Sequence, residues 1–197
     1  MRDKQIQIGW KEVVLGEICE IKRGNSITKA KLTSGDIPVI AGGQKPAYYH
    51  NVANRSGETL TVSGSGAYAG FVAYFDIPIF ASDCSTIQPH EENVFAKYLY
   101  YFLKGNQHKI YTLQKGIAQP HVYPKDLAKI KIPLPFQNGK PDLETQKQIV
   151  DILDKVEKLK QKRIEADKLA KEYLQGVFYQ MFYNKGFEER RQMKLLK

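Results

Sequence analysis

Between Asp142 and Tyr183 the chain holds no proline and a single glycine, Gly176, and this stretch constrains its fold more than any other. Thr145 and Gln148 stand at capping-box spacing, where two side chains satisfy free N–H groups of a first helical turn, so a helix is expected to begin within Asp142–Thr145. Asn184 and Gly186 are expected to stop it. With Ile149 as position a of a heptad, the a residues are Ile149, Val156, Arg163, Ala170 and Val177, and the d residues are Ile152, Leu159, Ala166, Tyr173 and Gln180. Eight of these ten are apolar, a coiled-coil pattern. A helix of about 40 residues is about 60 Å long, more than a domain of the remaining size can cover, so it requires another helix. The expected dimer seam is Ile149, Ile152, Val156, Leu159, Arg163, Ala166, Ala170, Tyr173 and Val177. Leu153, Leu174 and Met181, at e positions, widen the stripe and leave room for a second partner. The alternative is a helix folded back on its own domain.

The preceding residues read as a compact mixed domain, which makes the fold class α+β: a strand-rich domain followed by a long C-terminal coiled-coil helix. Trp10, Val13, Val14, Leu15 and Ile18 form a short amphipathic opening. Strands are expected at Ile37–Ile40, Thr59–Val62, Phe71–Phe75, Pro78–Phe80, Ser85–Gln88 and Ile130–Leu134, runs of β-branched and aromatic residues punctuated by Gly, Pro, Asp or Asn. Phe95–Leu103 reads as a helix with Phe95, Tyr98, Leu99 and Phe102 on one face. Phe136–Pro141, which carries Asn138-Gly139, reads as a turn or linker. The expected division is residues 1–141 as the domain, 142–185 as the helix and 186–197 as a basic tail, with no internal repeat.

The charge is unevenly placed. Lys and Arg total 30 against 21 Asp and Glu, a formal net charge of +9, which suits a polyanionic partner because each neutralised phosphate releases a counterion. Lys22 to Arg55 holds six basic residues and one acid, and Lys97 to Lys131 holds seven lysines and one acid. The intervening Ser56–Ala96 holds five acids and no Lys or Arg. The two basic segments also carry groups able to read base edges: Asn25, Gln44, Asn51, Asn54, Gln114, Gln119 and His121. Tyr48, Tyr49 and Tyr123 can pack on sugars or bases. The expected DNA-contacting set is Lys22, Arg23, Asn25, Lys29, Lys31, Gln44, Lys45, Tyr48, Tyr49, Arg55, Ser65, Tyr68, Lys115, Gln119 and His121. A membrane surface would instead require a basic amphipathic helix. No signal-type apolar segment and no run near the ~18 residues of a membrane span occurs, so a soluble cytoplasmic protein is expected. Cys19 and Cys84 show neither disulfide-framework nor metal-ligand spacing, so no metal is expected.

No complete catalytic constellation is present. Gly64-Ser65-Gly66-Ala67-Tyr68-Ala69 satisfies G-x-G-x-x-A, with Asp83 near the position of a ribose-binding acid. That fingerprint needs a helix next, whose N-terminus holds the pyrophosphate, and Gly70–Phe75 reads as a strand. A glycine-rich hairpin fits better. The four histidines, His50, His90, His108 and His121, lack nucleophile or metal spacing. Asp142, Glu144 and Lys147 share residue types with nuclease sites, but their spacing is wrong and the segment opens a helix.

Taken in order, the blocks resemble a known family. Trp10-Lys11-Glu12-Val13-Val14-Leu15-Gly16-Glu17-Ile18 followed by Lys22-Arg23-Gly24 looks like the opening of a target recognition domain from a Type I restriction–modification specificity subunit. Ala41-Gly42-Gly43-Gln44, Tyr48-Tyr49-His50-Asn51, Ser63–Val72, Gln119-Pro120-His121-Val122 and Ile130–Pro135 are similar to its later blocks. The passage Glu144-Thr145-Gln146-Lys147-Gln148-Ile149 into Val150–Asp154 is the most diagnostic, with Thr145 where the family typically has Glu. The resemblance covers Trp10 to Tyr183. It implies a non-catalytic, cofactor-free reader of double-stranded DNA that directs methyltransferase subunits, and motor-nuclease subunits where they exist, to a split site. The family usually carries two recognition domains and two helices; this chain has one of each, so it is either a half-subunit that dimerises or a fragment. A stand-alone DNA-modifying or nucleotide-dependent enzyme, and a helical scaffold with incidental charge, are the competing readings.

Overall fold

The computed structural model describes residues 8–90 and 92–184. The chain divides into two compact units, Met1–Val150 and Asp151–Lys197.

In the first unit, β1 (Ile8–Val14) runs into a single helical turn, α1 (Leu15–Ile18), and then β2 (Cys19–Arg23). A 3₁₀ turn at Lys29–Lys31 precedes β3 (Ile37–Ile40), β4 (Tyr48–His50), β5 (Thr59–Ser63), β6 (Val72–Phe75), β7 (Phe80–Ala81) and β8 (Cys84–Pro89). Helices α2 (Ala96–Gly105), α3 (Gln107–Tyr111) and α4 (Pro124–Leu127) follow, then β9 (Lys131–Gln137), β10 (Lys140–Pro141) and α5 (Leu143–Tyr179). The strands form three sheets, ordered β1-β9-β10, β2-β8-β5-β6 and β4-β3-β7. All pairings of these strands are antiparallel except β3 with β7.

β5 is central in its sheet, and all five of its residues are buried. Side chains alternate across a strand, so Leu60 and Val62 share one face and Thr59, Thr61 and Ser63 the other. Leu60 and Val62 join Leu15, Ile18, Ile87, Leu99, Leu103, Leu127, Ile132 and Leu134 in the main core. Truncating a fully buried leucine such as Leu60 to alanine costs about 2–5 kcal/mol. A smaller cluster of Ile40, Ile79, Ala81 and Cys84, with Phe75 against it, forms a second core. Burial pushes the Cys19 and Cys84 thiols up to about 12, so both are protonated and inert near neutral pH.

The expected strands are all present, within a few residues of their expected limits. β4, α3 and α4 are short elements beyond those expected, and three further segments differ. The opening is a strand: Ile8–Val14 pairs with Gln137–Lys131, and only Leu15–Ile18 is helical. β2 is an additional strand that the sequence does not signal, because it lies at a sheet edge with its charged residues facing outward. The Phe136–Pro141 linker is part of a hairpin, since β9 continues to Gln137 and turns back into β10. Asn138 and Gly139 adopt φ of 51° and 81°, the left-handed pair that a two-residue hairpin turn requires and that Asn-Gly supplies.

The long helix begins where expected, but its cap is Asp142. The Thr145 backbone N–H donates to Asp142 Oδ1 at 3.0 Å and the Thr145 hydroxyl donates to Oδ2 at 2.6 Å. After Tyr179 the chain continues as a wider π turn, Gln180–Asn184. Gly186 and the 186–197 tail lie outside the described residues. Gln146 and Val150 are buried, and the first compact unit runs through them to Val150.

Candidate nucleic-acid interface

Strand pairing gathers distant segments at one end of the central sheet. Arg23 pairs with Ser85 and Ser63 with Cys84, so the C-terminal ends of β2 and β5 meet the start of β8. Ile40 pairs with Ala81, which delivers the Ala41–Gln44 segment to the same place. There the Ser63 hydroxyl donates to the Gly42 carbonyl at 2.6 Å. The Gly24 and Asn25 N–H groups donate to the Cys84 and Ala81 carbonyls at 2.8 and 2.9 Å. A Cβ on Gly24 would lie 2.2 Å from the Ser82 carbonyl oxygen, so only glycine permits this backbone crossing.

Asp83 ties these segments together. It accepts a hydrogen bond from the Ser65 hydroxyl through Oδ2, and the Arg23 guanidinium approaches Oδ1 at 3.5 Å. Three residues far apart in sequence are thereby joined around one carboxylate. The Arg23 pair is largely exposed and contributes little to stability; it orients the guanidinium.

The loop from Lys115 to His121 docks on the glycine-rich run. Lys115 and His121 exchange backbone hydrogen bonds of 2.9 and 2.8 Å, and Gly66 N–H donates to the Pro120 carbonyl at 3.0 Å. Val122 N–H donates to the Gly64 carbonyl at 3.1 Å, and His121 bridges Ser65. The His121 and Tyr123 rings stack at 6.0 Å. The glycine-rich run itself is the loop of the β5–β6 hairpin, with Gly70 N–H donating to the Ser63 carbonyl at 2.8 Å. No helix follows it, and Asp83 is engaged by Ser65 and Arg23, so the dinucleotide fingerprint lacks its phosphate-binding element.

The family model for the type I restriction modification DNA specificity domain matches residues 7–170. The chain belongs to that family. It is 30% identical over 155 residues to a type I specificity subunit of Mycoplasma pneumoniae, covering 73% of this chain and 56% of the relative. It is likewise 30% identical over 155 residues to the type I restriction enzyme MpnII specificity subunit of the same organism, with 73% and 42% covered. The S subunit of a type I restriction–modification system from M. genitalium has the same fold at a TM-score of 0.66 and 23% identity, over 80% of this chain and 41% of that one. The HsdS subunit from Thermoanaerobacter tengcongensis matches at a TM-score of 0.57 and 22% identity, over 82% and 40%. The specificity domain spans about half the length of the curated relatives it matches.

Of the residues expected to contact DNA, Arg23 and Ser65 meet at the Asp83 carboxylate, Asn25 is held to Ala81, and Lys115 and His121 are joined to them through the His121–Ser65 bridge. Gln44 follows closely on Gly42, and Gln119 belongs to the docked loop; both are exposed. Lys115 also donates to Asp126 at 2.6 Å, and that hydrogen bond holds the Asp126 carboxyl below its usual range. Lys22 pairs with Glu20 at 2.6 Å. Lys29, Lys31, Lys45 and Tyr68 are exposed, and Tyr48 and Tyr49 are exposed on β4, in a separate sheet.

Arg55 is placed differently. Its Nε donates to Thr86 Oγ1 at 2.9 Å and its Nη1 to the Asn54 carbonyl at 2.7 Å, so the guanidinium braces the sheet. Asn54 spends both ends of its amide on the Ala81 backbone, at 2.9 and 2.7 Å. Gln114 donates to the Ala69 carbonyl at 2.7 Å. His50 is buried against Thr33 and Phe80. Arg55, expected among the DNA-contacting residues, and Asn54 and Gln114, expected among groups able to read base edges, thus spend these hydrogen bonds on the frame. The organising role of Asp83 is invisible in the sequence, because its partners are fixed only by long-range pairing.

Along the helix, Ile152, Val156, Leu159 and Tyr173 are exposed, at 60, 55, 67 and 72%. Arg163, Ala166 and Ala170 are exposed and Val177 is half-buried. Ile149 differs from the other seam positions: it is half-buried against the domain core. Among the described residues no helix is long and apolar enough to cross a membrane.

Proposed function

We propose that this chain reads double-stranded DNA for a type I restriction–modification complex in the cytoplasm, with no catalytic step, metal or cofactor of its own. The observation that carries this reading is the convergence of both basic segments at the end of the central sheet where Asp83 lies. Groups from both basic segments, Arg23 and Asn25 from one and Lys115, Gln119 and His121 from the other, arrive at one end of the same sheet. The lysines on these loops neutralise phosphates, a sequence-independent contribution that sets register. The exposed amides of Gln44 and Gln119 can each present a donor and an acceptor to adenine N6 and N7. Bracing by Asp83 limits the entropy that these loops lose on binding.

Methylation and cleavage belong to partner methyltransferase and motor-nuclease subunits. Two copies pair through α5, by the seam at Ile152, Val156, Leu159, Arg163, Ala166, Ala170, Tyr173 and Val177, and together recognise a split, inverted-repeat site. Support for the pairing comes from the exposed apolar residues of that seam. The decisive experiment is purification of the tagged chain from its native host, with methylome sequencing before and after deletion. Co-purifying methyltransferase subunits and the loss of one bipartite methylated motif are expected. An unchanged methylome, or turnover by the homogeneous chain alone, would overturn the reading.

A further inference from the structure

The loop closed by Lys115 and His121 carries an apolar side chain at its tip. Ile117 is fully exposed. The tip is nonetheless shaped by several constraints. Lys115 and His121 close it with paired backbone hydrogen bonds, and Pro120 and Val122 pin its base to Gly66 and Gly64. Gly116 has φ of 97°, and a Cβ there would lie 2.7 Å from the Gln119 carbonyl oxygen, so no other residue fits that turn. The isoleucine is itself stiff, since branching at Cβ restricts χ1. A pinned loop that holds a stiff apolar group out in water, between Lys115 and Gln119, gains nothing for the fold.

We propose that Ile117 is a specificity-determining residue whose side chain packs against the 5-methyl group of a thymine in the major groove. The inference rests on the DNA-reading function proposed above. The loop is closed by a single Lys115–His121 bridge, and the thymine methyl is the one apolar feature of a base edge in the major groove. Gln119, two residues along on the same tip, is the residue type that pairs with adenine in that groove. Lys115 supplies charge for the adjacent phosphate.

The test replaces each thymine of the selected target in turn with deoxyuridine, which removes one methyl group and leaves every hydrogen bond intact. The full chain in its native complex is titrated with each duplex. At one position wild-type binding should weaken about fourfold, the value of one buried methyl-sized group. Ile117→Ala should bind the parent duplex about as weakly, should show no further loss at that position, and should keep its salt dependence. Circular dichroism and assembly with partner subunits serve as controls, and both should be unchanged because the side chain is exposed.

Three results would overturn the inference. Ile117→Ala could lose affinity equally on every sequence with no sensitivity to the methyl group, which is the signature of a wedge between bases. It could lose assembly instead, which would place the side chain against a protein. The wild type could show no methyl-sensitive position that the variant loses. If the wild-type complex shows no salt-dependent DNA binding at all, the functional reading fails together with the inference, and that result is distinct from the other three.

Discussion

Gln146 on the long helix holds the start of α2: its Oε1 accepts from the Phe95 backbone N–H at 3.1 Å while its Nε2 donates to the Asn93 carbonyl at 3.1 Å. Gln146 is fully buried, and α2 has no side-chain cap of its own, so the amide serves as one from a distance. Gln146→Ala would take their side-chain partner from the part-buried Phe95 N–H and Asn93 carbonyl. A loss of about 3 kcal/mol is expected, from about 1–3 kcal/mol per orphaned group, read as a lower urea midpoint with unchanged slope. A midpoint within error of the parent would refute it.

Asp83→Ala separates frame from reading. The Arg23 pair is exposed and contributes at most about 1 kcal/mol, so the domain should remain folded. Without the carboxylate the Arg23 and Ser65 side chains lose their common anchor, and the loops lose their fixed geometry. Preference for the target over random duplex should fall at least tenfold, while affinity for random DNA holds or rises because one negative charge is gone. Competition binding at fixed salt measures both. A selectivity equal to the parent's would show that Asp83 does not organise the reader.

Salt dependence distinguishes the basic residues. Replacing Lys29, Lys31 or Lys45 with alanine should weaken all sequences alike and reduce the slope of log K against log salt by about 1 for each phosphate left without its lysine. Arg55→Ala should behave otherwise. Its guanidinium already serves Thr86 and Asn54, so stability should drop while the salt slope stays. A slope reduced by Arg55→Ala and untouched by the three lysine changes would reverse the proposed DNA face.

Ile152→Asp combined with Leu159→Asp addresses the pairing of two copies. Both side chains are exposed, so the domain should fold and melt as before. Sedimentation should report a dimer for the parent at micromolar concentration and a monomer for the variant, which should also lose two-site binding. A parent that is strictly monomeric would rule out the half-subunit arrangement.

The Asp142 cap predicts an acid-side dependence. Its carboxyl is held below the ordinary aspartate value, first by the Thr145 hydroxyl, then by the Thr145 and Glu144 backbone N–H groups. A lowered folded-state value means that the cap stabilises fully above the unfolded value and is lost as pH falls through the folded one. Asp142→Asn should therefore be less stable than the parent at neutral pH, and the two should converge in acid once the parent's carboxyl is protonated. Thermal melts from neutral to strongly acidic pH would show a constant difference if the cap were irrelevant.

The sequence displays some levels of this structure well and hides others. Thr59–Val62 and Ile37–Ile40 announce themselves because β-branched residues crowd central, buried strands. β2 hides because Cys19–Arg23 offers only two apolar positions, Cys19 and Ile21, before two charged residues at a sheet edge, and β4 because three residues carry no period. The long helix is legible in length and start, yet capping-box spacing points to Thr145 where Asp142 uses both oxygens. For the candidate site, segment charge singles out the loops that the fold brings to one end of the central sheet, whereas the contacts of individual residues depend on partners tens of residues away. Asn54 and Gln114 look equivalent to Gln44 and Gln119 in sequence, and only the fold shows which amides are consumed by backbone. Ile117 offers one usable signal, an isoleucine directly after a glycine in a short loop between Lys115 and His121.

The pairing of β1 with β9 has a consequence for inheritance. Ile8 lies opposite Gln137 and Val14 opposite Lys131, so the polypeptide enters and leaves the reading domain on adjacent strands, immediately before the helix. Everything between those strands can be exchanged for the corresponding stretch of a relative with two crossovers, provided the β1–β9 ladder is kept. The helix would keep its junction with β9, and the incoming stretch would have to offer Gln146 backbone groups equivalent to those of Asn93 and Phe95. On the DNA-reading function proposed above, one recombination event would replace the target sequence, without intermediates that read neither the old one nor the new.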